Sequence, residues 1–335
     1  MSTPVEIFPA RAAEAAYQVD ALFFFMTIVT GLAALGVFTM LAYFSVRYRR
    51  RTPPVATPRI EGALSLELFW TITPFLIFLV MFWWGARIYL SMSQPPAGAI
   101  DVYVVGKQWM WKVQHAEGQR EINELHVPLG QPVKLTLTSE DVIHDFFVPA
   151  FRTKIDVIPG RYVYEWFKPT LVGTYHIFCS QYCGTNHAGM RGELYVMDPA
   201  DYQQWLNLKA EGSLALEGRK LFLQLQCITC HVAGPKARAP ILESLYGATI
   251  PLRGGGTKLA DDNYIRESIL NPQAKVVLGW EPIMPTFEGQ VSEEDLIKLI
   301  AYIKSLGPGQ TPQRNEESVP PPPPPAKAAE KTESP

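Results

Sequence analysis

Four side chains able to bind a soft metal fall within twelve residues of this sequence: Cys179, Cys183, His187 and Met190, in CSQYCGTNHAGM. Their types and spacing admit a disulfide, a zinc site or a centre that moves electrons. A second pair stands in Cys227-Ile-Thr-Cys230-His231. This is C-x-x-C-H, the pattern in which two thioethers anchor a c-type haem and the next histidine meets its iron. A thioredoxin-like redox pair would want a βαβ setting, which the neighbouring sequence lacks. No other cysteine occurs, so outside the cytoplasm two disulfides would be the plainest use of all four.

The company each pair keeps argues for more. Zinc held by Cys₂His rarely recruits a thioether, whereas thiolate, imidazole and thioether together suit copper. The first loop carries one histidine, so a second must come from elsewhere among the six: 115, 126, 144, 176, 187 and 231. His231 belongs to the haem motif. His176 precedes Cys179 by three on an expected strand, so the two face opposite ways. His115 and His126 read as solvated surface residues. His144, in the apolar stretch EDVIHDFFVP, remains. Two thiolates bridging two copper ions, each ion completed by one histidine, would use all four groups. The haem iron needs a sixth ligand well downstream; no histidine follows His231, and Met284 is the only methionine after the motif.

The elements that must position these groups are legible in outline. Residues 21–46 and 68–86 carry no charged side chain, and each run can cross a hydrocarbon core of about 30 Å. Between them Arg47, Arg49, Arg50, Arg51 and Arg59 outweigh Glu61, which makes that loop cytoplasmic and puts both flanks outside. Trp83, Trp84 and Tyr89 fit an interfacial belt. Residues 100–198 alternate apolar and polar side chains between turn signals, as a β-sandwich does. Amphipathic helices follow, LALEGRKLFLQLQ before Cys227 and SEEDLIKLIAYIKSLG at the end, with Ser292 and Asp295 as a capping box. The expected fold is a multidomain membrane protein. Its parts are an outer segment (1–20), transmembrane helices (21–46 and 67–90) joined by a cytoplasmic loop (47–66), a sandwich (99–198), a linker turning helical (199–213), an all-α domain (214–307) and a disordered Pro-rich tail (308–335). A net charge of −2 gives no reason to expect nucleic acid as a partner.

The order helix, C-x-x-C-H, Met-Pro, final helix resembles class I cytochrome c domains. The resemblance implies that His231 and Met284 are the axial ligands, that the Pro240 carbonyl orients His231, and that Gly218 and Phe222 pack against the helix of Tyr302. The hairpin, with GKQWMWK, DVIHDFFVP, KIDVIPGR and CSQYCGTNHAGM, resembles subunit II of haem–copper cytochrome c oxidases, with its cupredoxin sandwich and dinuclear CuA centre. The whole chain resembles the form fused to a cytochrome c, as in caa-type oxidases.

That likeness implies an electron-delivering subunit in a bacterial cytoplasmic membrane, with its copper and haem domains on the periplasmic face. A donor cytochrome c would pass electrons through haem c and CuA to subunit I, where dioxygen is reduced and protons are pumped; other oxidase subunits and the bilayer would be its neighbours. Cys179 and Cys183 would bridge the metals, His144 and Met190 completing one copper, His187 and the Gln181 carbonyl the other. Trp109 would take electrons in, Asp141 and Asp156 would face the donor, and Glu67 would stand at a proton-channel mouth. Many relatives carry Glu in place of Gln181 and use it for an interface magnesium, so that ion is in doubt here. Quinol-oxidase relatives lack the copper ligands, and nitrous-oxide reductase should carry a large His-rich domain and no hairpin anchor.

Overall fold

The computed structural model describes residues 8–49, 62–208, 213–232 and 237–307. Arg50, Arg51, Arg59 and Glu61 of the basic loop, and the tail from Pro308, lie outside the described residues.

Both apolar runs are helical. Helices α1 (Glu14–Arg47) and α2 (Leu64–Ser93) extend past the uncharged stretches at each end. Their most apolar windows have mean hydropathies of 2.3 and 1.9 and are not buried by the rest of the chain. An exposed apolar surface of this extent, with Phe38 70% and Phe82 74% exposed, wants lipid or another chain around it. Phe25 and Trp84 pack between the two helices, ring centroids 5.7 Å apart. Ahead of α1 the chain doubles back onto the next domain: the Ala12 amide donates to the Ala150 carbonyl and its own carbonyl accepts from Thr170. The start of α1 is thereby tied to the same side as the sandwich.

The sandwich comprises β1 (Ile100–Lys107), β2 (Met110–His115), β3 (Arg120–Ile122), β4 (Glu124–Pro128), β5 (Val133–Ser139), β6 (His144–Val148), β7 (Thr153–Val157), β8 (Val163–Phe167), β9 (Gly173–Cys179) and β10 (Arg191–Met197). They form two five-stranded sheets, ordered β3-β2-β1-β5-β8 and β4-β10-β9-β6-β7. Inward residues of both, among them Val102, Val104, Trp111, Leu135, Phe146, Ile177 and Leu194, make one fully buried core. This is a cupredoxin-like sandwich. Strand β1 breaks the usual alternation: Tyr103 and Val105, on its outer face, are only 3% exposed each, because a second domain covers that face.

Helix α3 (Pro199–Leu208) leaves the sandwich but stays on it, with Tyr202 and Leu206 buried. It overturns the solvated reading of two histidines. His115 is fully buried, its Nε2 donating to Glu121 at 2.8 Å and its Nδ1 accepting from the Tyr202 hydroxyl. His126 is stacked between Tyr195 and Trp205 and bonded to Glu121. The sequence read both as solvated; Tyr195, Tyr202 and Trp205, far downstream in the chain, supply their cover.

The last domain holds α4 (Leu214–Gln224), the short hairpin β11 (Thr249–Pro251) and β12 (Thr257–Leu259), α5 (Asp262–Leu270) and α6 (Glu293–Ser305). Ser213, Asp261 and Ser292 cap the three helices, and Ser292 forms the full capping box with Asp295. Helices α4 and α6 cross so closely that a Cβ on Gly218 would lie 1.9 Å from the Lys298 carbonyl oxygen. Only glycine permits this crossing. Phe222 and Tyr302 pack beside it, 5.3 Å between centroids.

Candidate copper and haem centres

The end of β9, the start of β6 and the loop before β10 bring six groups together. Cys179 Sγ lies 3.7 Å from Cys183 Sγ, 3.9 Å from His144 Nδ1 and 3.2 Å from the Gln181 carbonyl oxygen. Cys183 Sγ lies 3.5 Å from His187 Nδ1 and 3.8 Å from Met190 Sδ. The sulfurs are far from the roughly 2.05 Å of a disulfide, and both thiols are free. Gaps of this size fit ions bonded to nitrogen and sulfur at about 2.0 and 2.3 Å. Thiolate, imidazole and thioether donors in a buried pocket suit copper.

Electrostatics agree with a site built for cationic metal. Burial opposes both thiolates. His144 and neighbouring amides nonetheless hold Cys179 below the usual thiol range, while burial and the adjacent sulfur push Cys183 up to about 12. Two negative sulfurs at this distance need positive charge between them.

The surroundings fix the donors. Asp141 Oδ1 accepts the Nε2 proton of His144 at 2.8 Å, leaving Nδ1 to face Cys179. Asp141 Oδ2 accepts the Gln108 amide, and the Cys183 carbonyl accepts from Gln108 Nε2 at 2.8 Å and Trp109 Nε1 at 3.2 Å. Trp109 thus touches the loop of Cys183, while Asp141 is engaged with His144. Asp156 stays exposed on β7. His176 is exposed on the outer face of β9, away from Cys179. Glu67 sits in the first turn of α2, apart from both centres. The sequence reading passed over Gln108, Trp111 and Gly106. The Trp111 ring packs edge-on to His144 at 5.8 Å, and a Cβ on Gly106 would reach 2.9 Å from that imidazole. The glycine and aromatic residues of GKQWMWK were the available signal.

In the last, mainly helical domain Cys227, Cys230, His231 and Met284 line one apolar cavity of about 320 Å³ with Phe222, Tyr264, Ile265, Ile269, Leu299 and Ile303. His231 Nδ1 donates to the Pro240 carbonyl at 2.8 Å. That bond fixes the tautomer and frees Nε2 as a metal ligand. Two free thiols, an oriented imidazole and a thioether lining one apolar cleft fit a haem.

A membrane hairpin carrying a cupredoxin sandwich and a haem-type domain defines a membrane-anchored electron-transfer protein. The family description "Cytochrome C oxidase subunit II, transmembrane domain" matches residues 3–84, "Cytochrome C oxidase subunit II, periplasmic domain" residues 119–194, and "Cytochrome c" residues 215–307. The chain is 30% identical over 253 residues to cytochrome c oxidase subunit 2 of Thermostichus vulcanus, covering 59% of this chain and 77% of that one. It is 29% identical over 293 residues to the corresponding subunit of Alkalihalophilus pseudofirmus, covering 83% and 84%. Among solved structures, the periplasmic domain of subunit II of cytochrome oxidase from Bradyrhizobium japonicum is 30% identical, covers 34% of this chain and 95% of its own, and has a TM-score of 0.33. The chain belongs to the cytochrome c oxidase subunit II family, in a form that also carries a cytochrome c domain. It is therefore an oxidase subunit, membrane-bound, with a periplasmic copper-type domain and a haem-type domain.

Proposed function

We propose that this chain receives electrons for a terminal haem–copper oxidase and hands them to subunit I, where dioxygen is reduced to water with proton pumping. The observation that carries the reading is the convergence of Cys179, Cys183, His144, His187, Met190 and the Gln181 carbonyl within one buried pocket. When bound, a dinuclear copper pair and a covalent haem c supply two successive one-electron carriers, filled by a cytochrome c or similar donor.

The chain's own residues make such transfer easy. Cys227 and Cys230 would tether the porphyrin, and His231 and Met284, which line the same cleft, would be its iron ligands. Cys179, Cys183, His144, His187, Met190 and the Gln181 carbonyl would hold the coppers, the two thiolates shared between the ions, His144 and Met190 serving one and His187 and the Gln181 carbonyl the other. Asp141, Gln108 and Trp111 hold these donors in place, so little reorganises when charge changes. Trp109 links the loop's outer side to the Cys183 carbonyl and is the way in. Asp156 offers the donor a negative charge, and Asp141 shares in this only through its remaining exposed edge. Glu67 serves a proton channel shared with subunit I. The Gln181 side chain is an amide, a poorer ligand than carboxylate for a hard cation, so no interface magnesium is assigned to it. The protein spans a bacterial cytoplasmic membrane twice, packed against subunit I, the other oxidase subunits and lipid.

Metal and haem analysis of the purified oxidase tests the reading. Copper and covalent haem on this chain are expected; haem without copper would overturn it.

A further inference from the structure

Helices α5 and α6 form a single layer with two working faces. On one, Ile265, Ile269, Leu299 and Ile303 line the haem cleft. On the other, Asp262, Asn263 and Arg266 of α5, with Glu294 and Lys304 of α6, meet the outer face of the sheet containing β1 and β8. The contacts are reciprocal. The Tyr162 amide donates to Asn263 Oδ1 at 2.8 Å, and Asn263 Nδ2 donates back to the Tyr162 carbonyl at 3.3 Å. Arg266 Nη1 donates to the Gly160 carbonyl at 2.7 Å.

At the centre, Lys304 Nζ lies 2.7 Å from Asp262 Oδ1. The sandwich covers this ion pair with two tyrosines: Tyr164 donates to Asp262 Oδ2 at 3.0 Å, and Lys304 reaches the Tyr103 hydroxyl at 3.3 Å. Burial opposes the charge on Lys304, yet Tyr103, Asp262 and Tyr246 hold its ammonium above the ordinary lysine range. Asp262 is 1% exposed, and Tyr103, Val105 and Tyr162 are 3%, 3% and 2% exposed. Near the copper end, Lys112 joins Glu294 to Glu140, 2.9 Å to each. Asp141, the next residue, holds His144.

A carrier that must swing between partners meets them through small, wet contacts rimmed by exposed charge. This seam instead buries aromatic side chains and a hydrogen-bonded ion pair, whose exposure on undocking would forfeit both apolar burial and paired polar groups. We infer that the seam is a permanent seat: the cytochrome domain works as a fixed relay, positioned by Tyr103 and Tyr164 against Lys304 and Asp262. The inference rests on the proposed passage of electrons from haem to copper. It leaves the cleft mouth, where Ile283 is 46% exposed, free for the donor.

Two measurements on the assembled oxidase test it. Amide hydrogen exchange should find Tyr162 protected, and haem-to-copper transfer after flash reduction should not change with added glycerol. Tyr164→Lys sets a second cation beside Lys304 from the sandwich side, outside either domain's own core. With haem and copper spectra intact, it should expose the Tyr162 amide and slow transfer; a seat occupied a tenth of the time slows it about tenfold. Asn263→Ala, a milder variant, should loosen the same amide. Fast exchange at Tyr162 in the unmodified protein, transfer that slows in proportion to viscosity, or no effect of Tyr164→Lys on either readout would overturn the fixed seat. A protected seam with no reduction of copper by haem would instead refute the proposed electron path and leave the seat standing.

Discussion

Asp141 Oδ1 stands 2.8 Å from His144 Nε2, and the proton between them fixes which imidazole nitrogen faces the sulfurs. A residue that the family resemblance casts as a charge facing the donor thereby also orients His144, a proposed copper ligand. Removing it should loosen the centre without touching the haem. Asp141→Ala is expected to lower copper affinity by roughly 10- to 100-fold, the usual cost of losing such a support. Chelator competition measures this; unchanged affinity would return Asp141 to the role of a docking charge alone.

Met284 lines the same cleft as His231 and is its proposed partner as haem ligand. Met284→Ala should leave the haem covalently attached through Cys227 and Cys230 but open one coordination position. Carbon monoxide should then bind the reduced haem, and the midpoint potential should drop, since a Met ligand raises it. A variant that still excludes carbon monoxide would show another group to be the sixth ligand.

Gly218 lies where a methyl group would sit 1.9 Å from the Lys298 carbonyl. Gly218→Ala must part α4 from α6 or fail to fold. Overpacking of this kind costs about 1–3 kcal/mol or more, so the haem domain's melting temperature should fall clearly. An unchanged melting temperature would contradict the close crossing.

Glu165 points from β8 into the sandwich interior, 7% exposed, with no hydrogen-bond partner for either carboxyl oxygen among the described residues. Burial pushes its pKa up from 4.5 to about 8. The folded state therefore keeps a proton that the unfolded chain releases above 4.5. The stability from this neutral form is complete below pH 4.5 and is lost as pH rises towards 8, by about 1.4 kcal/mol per unit. Melting temperatures between pH 5 and 8 should fall for the native protein and fall less for Glu165→Gln. Parallel profiles for the two would show that Glu165 does not titrate in that window.

What could be read from the sequence was what is local along the chain. The CSQYCGTNHAGM loop and the C-x-x-C-H motif keep their groups within a few residues, so the type and spacing of their side chains are visible at once. His144 needed elimination among six histidines, because β6 meets β9 only in the folded sheet. The hairpin was plain from its uncharged runs. Other features rest on contacts between distant segments. His115 and His126 looked solvated because Tyr202 and Trp205, which cover them, come from a helix beyond the sandwich. The run Val102-Tyr-Val-Val105 did carry an unread signal, since a strand apolar on both faces is covered on both. Its cover, α6, lies almost 200 residues later. Nothing in the sequence singles out Lys304 and Asp262, because the tyrosines that close over them belong to another domain.

The proposed function requires the pocket of Cys179 and Cys183 to hold two coppers that take electrons from a covalent haem in the same chain. Metal and haem content of the intact purified oxidase, with the electron-spin resonance spectrum of the copper in this chain, tests it most directly. Two coppers and one covalent haem are expected on this chain, with a signal split by two equivalent copper nuclei. A chain holding haem but no copper, or a signal from a single copper nucleus, would contradict it.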